Sequence, residues 1–151
     1  MVSPEIIGIG LLLYLIIVTI FIILSFLIYR KYKDKNFITG MVFTGVLNCL
    51  PFLAFPTLYF FIGYLLGVIF GFVAGYFNIK IKLGIMSGAL GIFLGYLIFG
   101  GVSPLGFLIF YSLFYVLIVI LPSTLCGAIG GAVGSKLRMR SEVSNNSDSK
   151  K

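Results

Sequence analysis

From Asn36 to Ile79 the chain carries no charged side chain, and it carries none again from Leu83 to Ser135. A soluble fold cannot cover its surface with so little charge. Of the 151 residues, 60% are hydrophobic and 10% charged, and mean hydropathy is +1.18. Most of this polypeptide must therefore face something other than water, and a bilayer is the solvent that fits. The expected localisation is the cell membrane, crossed several times.

Span limits follow from length and punctuation. Ile6 to Tyr29 is uncharged and ends directly at Arg30, Lys31, Lys33 and Lys35, the pattern of a stop-transfer anchor. It is too long for the apolar region of a signal peptide, and Glu5 stands where such a peptide carries basic residues. As one helix, residues 36–79 would be about 66 Å long, roughly twice the hydrocarbon thickness. That stretch must turn back, and Pro51 and Pro56 mark the place. The sequence thus predicts an all-α transmembrane bundle of five helices, at about 6–29, 37–55, 57–77, 83–102 and 105–135. The fifth has Pro122 inside it and should tilt, bend or protrude. One transmembrane domain over 1–140 and a disordered cytoplasmic tail over 141–151 complete the expected organisation.

Charge sets the orientation. With five spans, the segments at 30–35, 80–82 and 136–151 share one side. All 11 Lys and Arg residues then fall on that side, including Lys80, Lys82, Lys136, Arg138 and Arg140. The positive-inside rule puts the N-terminus outside and the C-terminus in the cytoplasm. The net charge of +7 is read as orientation and contact with anionic lipid headgroups. No motif or polar domain supports nucleic-acid binding. A sequon at Asn145-Asn146-Ser147 would lie on the wrong side for glycosylation, and Cys49 and Cys126 fall at different depths, which disfavours a disulfide between them.

Glycine is the one repeated pattern. Gly63, Gly67, Gly71 and Gly75 recur every fourth residue and line one face of helix 3. Helix 4 has Gly84/Gly88 and Ser87/Gly91/Gly95; helix 5 ends in Gly127/Gly131 and Gly130/Gly134. In lipid, burying one apolar side chain against another gains little, and helices associate through close backbone approach at small residues. These glycine-zipper rows are expected to pack within the chain, helix 3 against helix 4 as an antiparallel pair. A homo-oligomer, or a glycine-lined pore or lipid slot, is the alternative use.

Residues 36–137 resemble a family of small multi-pass archaeal membrane proteins classed as a domain of unknown function. The stretches that carry the resemblance are Gly63-Tyr64-Leu65-Leu66-Gly67 through Gly75-Tyr76, Ser87-Gly88-Ala89-Leu90-Gly91 through Gly95, and Gly127-Ala128-Ile129-Gly130-Gly131. Helix 1 is an addition to the usual pattern. The resemblance implies a compact helical membrane module and transfers no activity.

Few residues offer chemistry. The chain has no His, and its four acids, Glu5, Asp34, Glu142 and Asp148, lie outside the predicted spans. Proton-coupled transport, acid–base catalysis and metal binding each need groups that those spans lack. No cofactor or metal site is expected. The polar side chains in the interior are neutral. Asn48, with Thr44 a turn earlier, is expected to hydrogen-bond between helices. Ser123 and Thr124, after Pro122, are expected to re-satisfy backbone groups that the proline frees. The rival reading makes Asn48, Ser123 and Thr124 a polar path for a small solute or ion. Tyr29, Tyr32 and Tyr76 read as interfacial anchors, and Tyr111 and Tyr115 as interhelical hydrogen-bond donors. The function expected is a structural or accessory subunit docking through its glycine faces to other membrane subunits. The alternatives are an oligomeric passive channel and, less favoured for want of acids and bases, an enzyme acting on lipid.

Overall fold

The chain's computed structural model describes residues 4–54, 56–102 and 116–148, and among them there are helices and short turns but no strand. The helices are α1 (Pro4–Tyr32), α2 (Lys35–Ala54), α3 (Pro56–Tyr76), α4 (Ile81–Val102) and α5 (Leu121–Asp148), with a π-helical turn, Val116–Ile120, leading into α5. Among the described residues, Leu11–Tyr32, Ile81–Gly100 and Leu117–Ser144 are long and apolar enough to cross a membrane, and Gly63–Tyr76 is a shorter apolar helix. Residues 103–115 lie outside the described set, and with them the expected start of helix 5, Tyr111 and Tyr115.

The boundaries have local causes. α1 stops where Lys33 adopts φ 49° and its N–H reaches the Tyr29 carbonyl at 2.7 Å. Asp34 then caps α2, its Oδ1 accepting from the Asn36 N–H at 2.9 Å. α3 ends in a turn whose carbonyls are well supplied with donors, although the buried Oδ1 of Asn78 has no partner among the described residues. Asn78 donates from its backbone to Gly75 at 2.8 Å and from its side chain to Ala74 at 2.9 Å. Arg138, on α5, donates to the carbonyls of Tyr76 (3.0 Å) and Phe77. Four carbonyls that the end of a helix leaves without partners are thereby filled. Arg138 was expected only to set orientation; it also ties α5 to the end of α3.

Pro122 lacks an N–H and its ring crowds the carbonyl four residues earlier, that of Ile118. The chain widens into its π-helical turn there, and Tyr64 on α3 donates its hydroxyl to the Ile118 carbonyl. The proline is accommodated by a wider turn and a donor from the neighbouring helix.

The disordered tail expected over 141–151 differs from the structure over 141–148, and residues 149–151 lie outside the described set. α5 continues as helix to Asp148. Composition alone suggested disorder, but a polar segment that extends an existing helix escapes the cost of nucleating one. The Arg138–Glu142 pair at 3.2 Å and the Ser141 hydroxyl, 2.8 Å from the Arg138 carbonyl, support the extension.

Contacts along the helices set their directions. Gly40 lies against Ala74, and Thr44 donates to Phe70, so α2 and α3 are antiparallel. Ser87 donates to Phe37 and Asn48 to Ile92, so α2 and α4 are parallel. Gly67, Gly71 and Gly75 meet Ser123, Gly127 and Gly131 in order, so α3 and α5 are parallel, while Gly84 meets Ser135 and Gly88 meets Gly127, so α4 and α5 are antiparallel. The end of α1, the start of α2, the α3–α4 turn and the Ser135–Arg140 stretch of α5 therefore gather at one end of the bundle. The basic segments at 30–35, 80–82 and 136–140 share that end.

α1 is peripheral. It reaches the others through side chains, with Tyr14 donating to the Leu97 carbonyl at 2.7 Å and Phe21 tilted against Phe93. Its Leu12, Ile20, Ile22 and Phe26 are all exposed. A long helix with so much bare apolar surface is what a lipid environment permits and water does not.

Candidate functional site

The most constrained region is the seam where α3, α4 and α5 meet. A Cβ added at Gly71 would sit 2.2 Å from the Gly127 carbonyl oxygen, and one at Gly75 would sit 2.1 Å from that of Gly131. On the other side of the seam, a Cβ at Gly88 would lie 2.2 Å from the Gly127 oxygen, and one at Gly131 would lie 2.1 Å from that of Gly84. No side chain larger than hydrogen fits at such distances. The Gly127/Gly131 row of α5 thus faces α3 and α4 together. The second row, Gly130/Gly134, lies against the α3 backbone at Val68, Phe72 and Tyr76.

This arrangement corrects the expected pairing. The glycine row of α3 meets α5, in parallel, and not α4. α4 divides its small residues: Gly84 and Gly88 face α5, whereas Gly91 and Gly95 face Thr44 and Asn48 on α2. Gly63 is buried near the far end of the row. Two further close approaches went unread in the sequence, at Gly40 against Ala74 and Ser87 and at Gly45 against Leu94. Neither belongs to a four-residue repeat long enough to stand out.

Polar side chains bond across the same interfaces. Asn48 is fully buried, and its Nδ2 donates to the Ile92 carbonyl at 3.1 Å. Thr44 donates to Phe70 at 3.0 Å, joining α2 to α3. Ser123 accepts from the Tyr96 hydroxyl at 2.9 Å, joining α4 to α5. Thr124 donates to the Leu121 carbonyl at 2.7 Å, a bond within its own helix. Asn48 and Ser123 thus both bond to α4, at Ile92 and, one turn later, at Tyr96, each as an interhelical tie, whereas Thr124 bonds within its own helix. The carbonyls that Thr44, Asn48 and Ser87 reach belong to a neighbouring helix, whereas Ser135 donates to Gly131 in its own.

Tyr96 was not singled out in the sequence. It is among the largest fully buried side chains, at 1% exposure, and packs with Cys49, Ile92, Phe99, Val119 and Ile120 in one apolar cluster. A second cluster holds α1 to α2 and α4 through Phe21, Ile28, Phe37, Met41, Leu83 and Leu97. Of the basic residues, Arg30, Lys31, Lys33, Lys35, Lys80, Lys82, Lys136 and Arg140 are exposed, and Arg138 is half-buried. Lys31 lies 5.6 Å from the centre of the Tyr32 ring.

Among the described residues there is no group of three or more His, Cys, Asp or Glu side chains placed to hold a metal ion. Compared with family models, curated proteins and solved structures, the chain finds no match, so its reading rests on its own residues and geometry.

Proposed function

We propose that this chain is a multi-pass protein of the cell membrane, crossing the bilayer five times with its basic end in the cytoplasm, and that it serves there as a structural or accessory subunit. The observation that carries the reading is the division of labour between its helices. α2 to α5 close on one another through glycine rows and interhelical hydrogen bonds. α1 stands at the edge with its apolar face uncovered. The glycine faces are engaged inside the chain, so in this reading the docking element is α1. Leu12, Ile16, Ile20 and Ile23 recur along its bare side at helical spacing.

The passive-channel alternative has less support. It relied on Asn48 and Ser123 as a polar lining, and each is buried and bonded to a neighbouring helix.

Purification of the full chain in mild detergent tests the proposal. A membrane partner at fixed stoichiometry is expected, and it should be lost in Ile16→Trp while the folded chain remains. A chain that purifies alone from every mild detergent overturns the reading. A homo-oligomer whose ion or solute flux in liposomes falls in Asn48→Leu replaces it with the channel.

A further inference from the structure

The α1–α2 interface is not sealed. Near the basic end, a cavity of about 460 Å³ opens between Ser25, Phe26 and Tyr29 of α1 and Lys35, Ile38 and Thr39 of α2. Deeper, between α1 and α4, a second of about 160 Å³ is lined by Ile17, Ile20, Phe21, Leu24, Leu90 and Phe93. Volumes near the first are typical of ligand pockets, about 300–1,000 Å³.

The lining of the larger cavity is graded. Phe26 and Ile38 make an apolar wall. Tyr29, Thr39 and Lys35 supply two hydroxyls and an ammonium. Lys35 is the first residue of α2, Arg30 and Lys31 lie in the last turn of α1, and Lys33 lies in the connection between the two helices. Against these four cations stands one carboxylate, Asp34, which is occupied in capping α2. Apolar walls with the Lys35 ammonium at their edge, and three more cations nearby in sequence, match an amphiphile with an anionic head.

From this charge complementarity we propose that the groove binds one anionic phospholipid, its phosphate at Lys35 and the start of an acyl chain along Phe26 and Ile38. The site rests on the membrane reading given above. It would let α1 adhere to the bundle with a lipid completing the contact that side chains leave open.

The test is native mass spectrometry of the full chain released from nanodiscs holding equal phosphatidylglycerol and phosphatidylcholine. One retained phosphatidylglycerol per chain is expected. Lys35→Gln should lower its retention about fivefold, the factor one lysine contributes beside an anionic headgroup. Thr39→Trp, which fills the groove without altering charge, should lower it as well. Lys80→Gln, an equal charge loss at the same end, should leave it unchanged. Equal retention of the two lipids, or equal loss in Lys80→Gln and Lys35→Gln, overturns the proposal in favour of diffuse attraction to anionic lipid. A chain extracted from cell membranes without detergent would instead sink the membrane reading beneath it.

Discussion

Gly131→Ala is expected to destabilise the protein by about 3 kcal/mol or more, measured by reversible unfolding in mixed micelles. The added Cβ would lie 2.1 Å from the Gly84 carbonyl oxygen and 2.7 Å from its carbon. Those are backbone atoms, so no side chain can rotate away to make room. Relief requires α4 and α5 to separate by about 1 Å, and a gap of that size forfeits up to about half of each contact's attraction. Overpacking typically costs about 1–3 kcal/mol. Here the strained residue also borders α3, where Gly75 presses on its carbonyl, so the cost should reach or pass the top of that range. Gly8→Ala is the control. Nothing lies within 4 Å of a Cβ there, and its effect should stay within about 0.5 kcal/mol. Equal stability of Gly131→Ala and wild type would mean that the helices do not approach this closely.

Tyr96→Ala carries the second large effect, about 2–3 kcal/mol. In a soluble protein the loss of a buried aromatic ring costs about 3–5 kcal/mol, of which part is transfer from water. In a bilayer the unfolded reference is itself apolar, so the transfer part shrinks and the cavity part stays. At about 24 cal/mol per Å³, an unfilled space of roughly 100 Å³ accounts for the figure. Tyr96→Phe keeps the ring and loses the bond to Ser123. It should cost about 1 kcal/mol, in keeping with hydrogen bonds between membrane helices. If the two substitutions cost the same, the hydroxyl and not the ring's volume would be what matters.

These residues divide by how visible they were in the sequence. The limits of helices 2 and 3 lie close to where charge and proline punctuate the sequence. Helix 2 was expected at 37–55 and runs Lys35–Ala54, and helix 3 was expected at 57–77 and runs Pro56–Tyr76. The contact partners of the glycine rows were not legible. A four-residue spacing identifies a face but not the helix it meets, and α4 has two such faces that go to different neighbours. Asn48 and Ser123 stood out as isolated polar residues in apolar helices. Tyr64 and Tyr96 did not, among many aromatics, because their roles depend on an acceptor more than twenty residues away in sequence. Arg138 looked like one cation among several, and only the folded chain brings it to the carbonyls that end α3. The polar end of α5 misled for a different reason: composition reports what a segment would do alone, and this one grows from a helix already formed.

Sidedness of the chain ends in intact cells tests the central claim most directly. With Cys49 and Cys126 replaced by alanine, single cysteines are introduced as Ser3→Cys, Lys80→Cys and Ser144→Cys and probed with a membrane-impermeant thiol reagent. An odd number of crossings with the basic end inside predicts that Ser3→Cys reacts in intact cells, while Lys80→Cys and Ser144→Cys react only once the membrane is opened. Reaction of Ser3→Cys and Ser144→Cys from the same face would contradict the account.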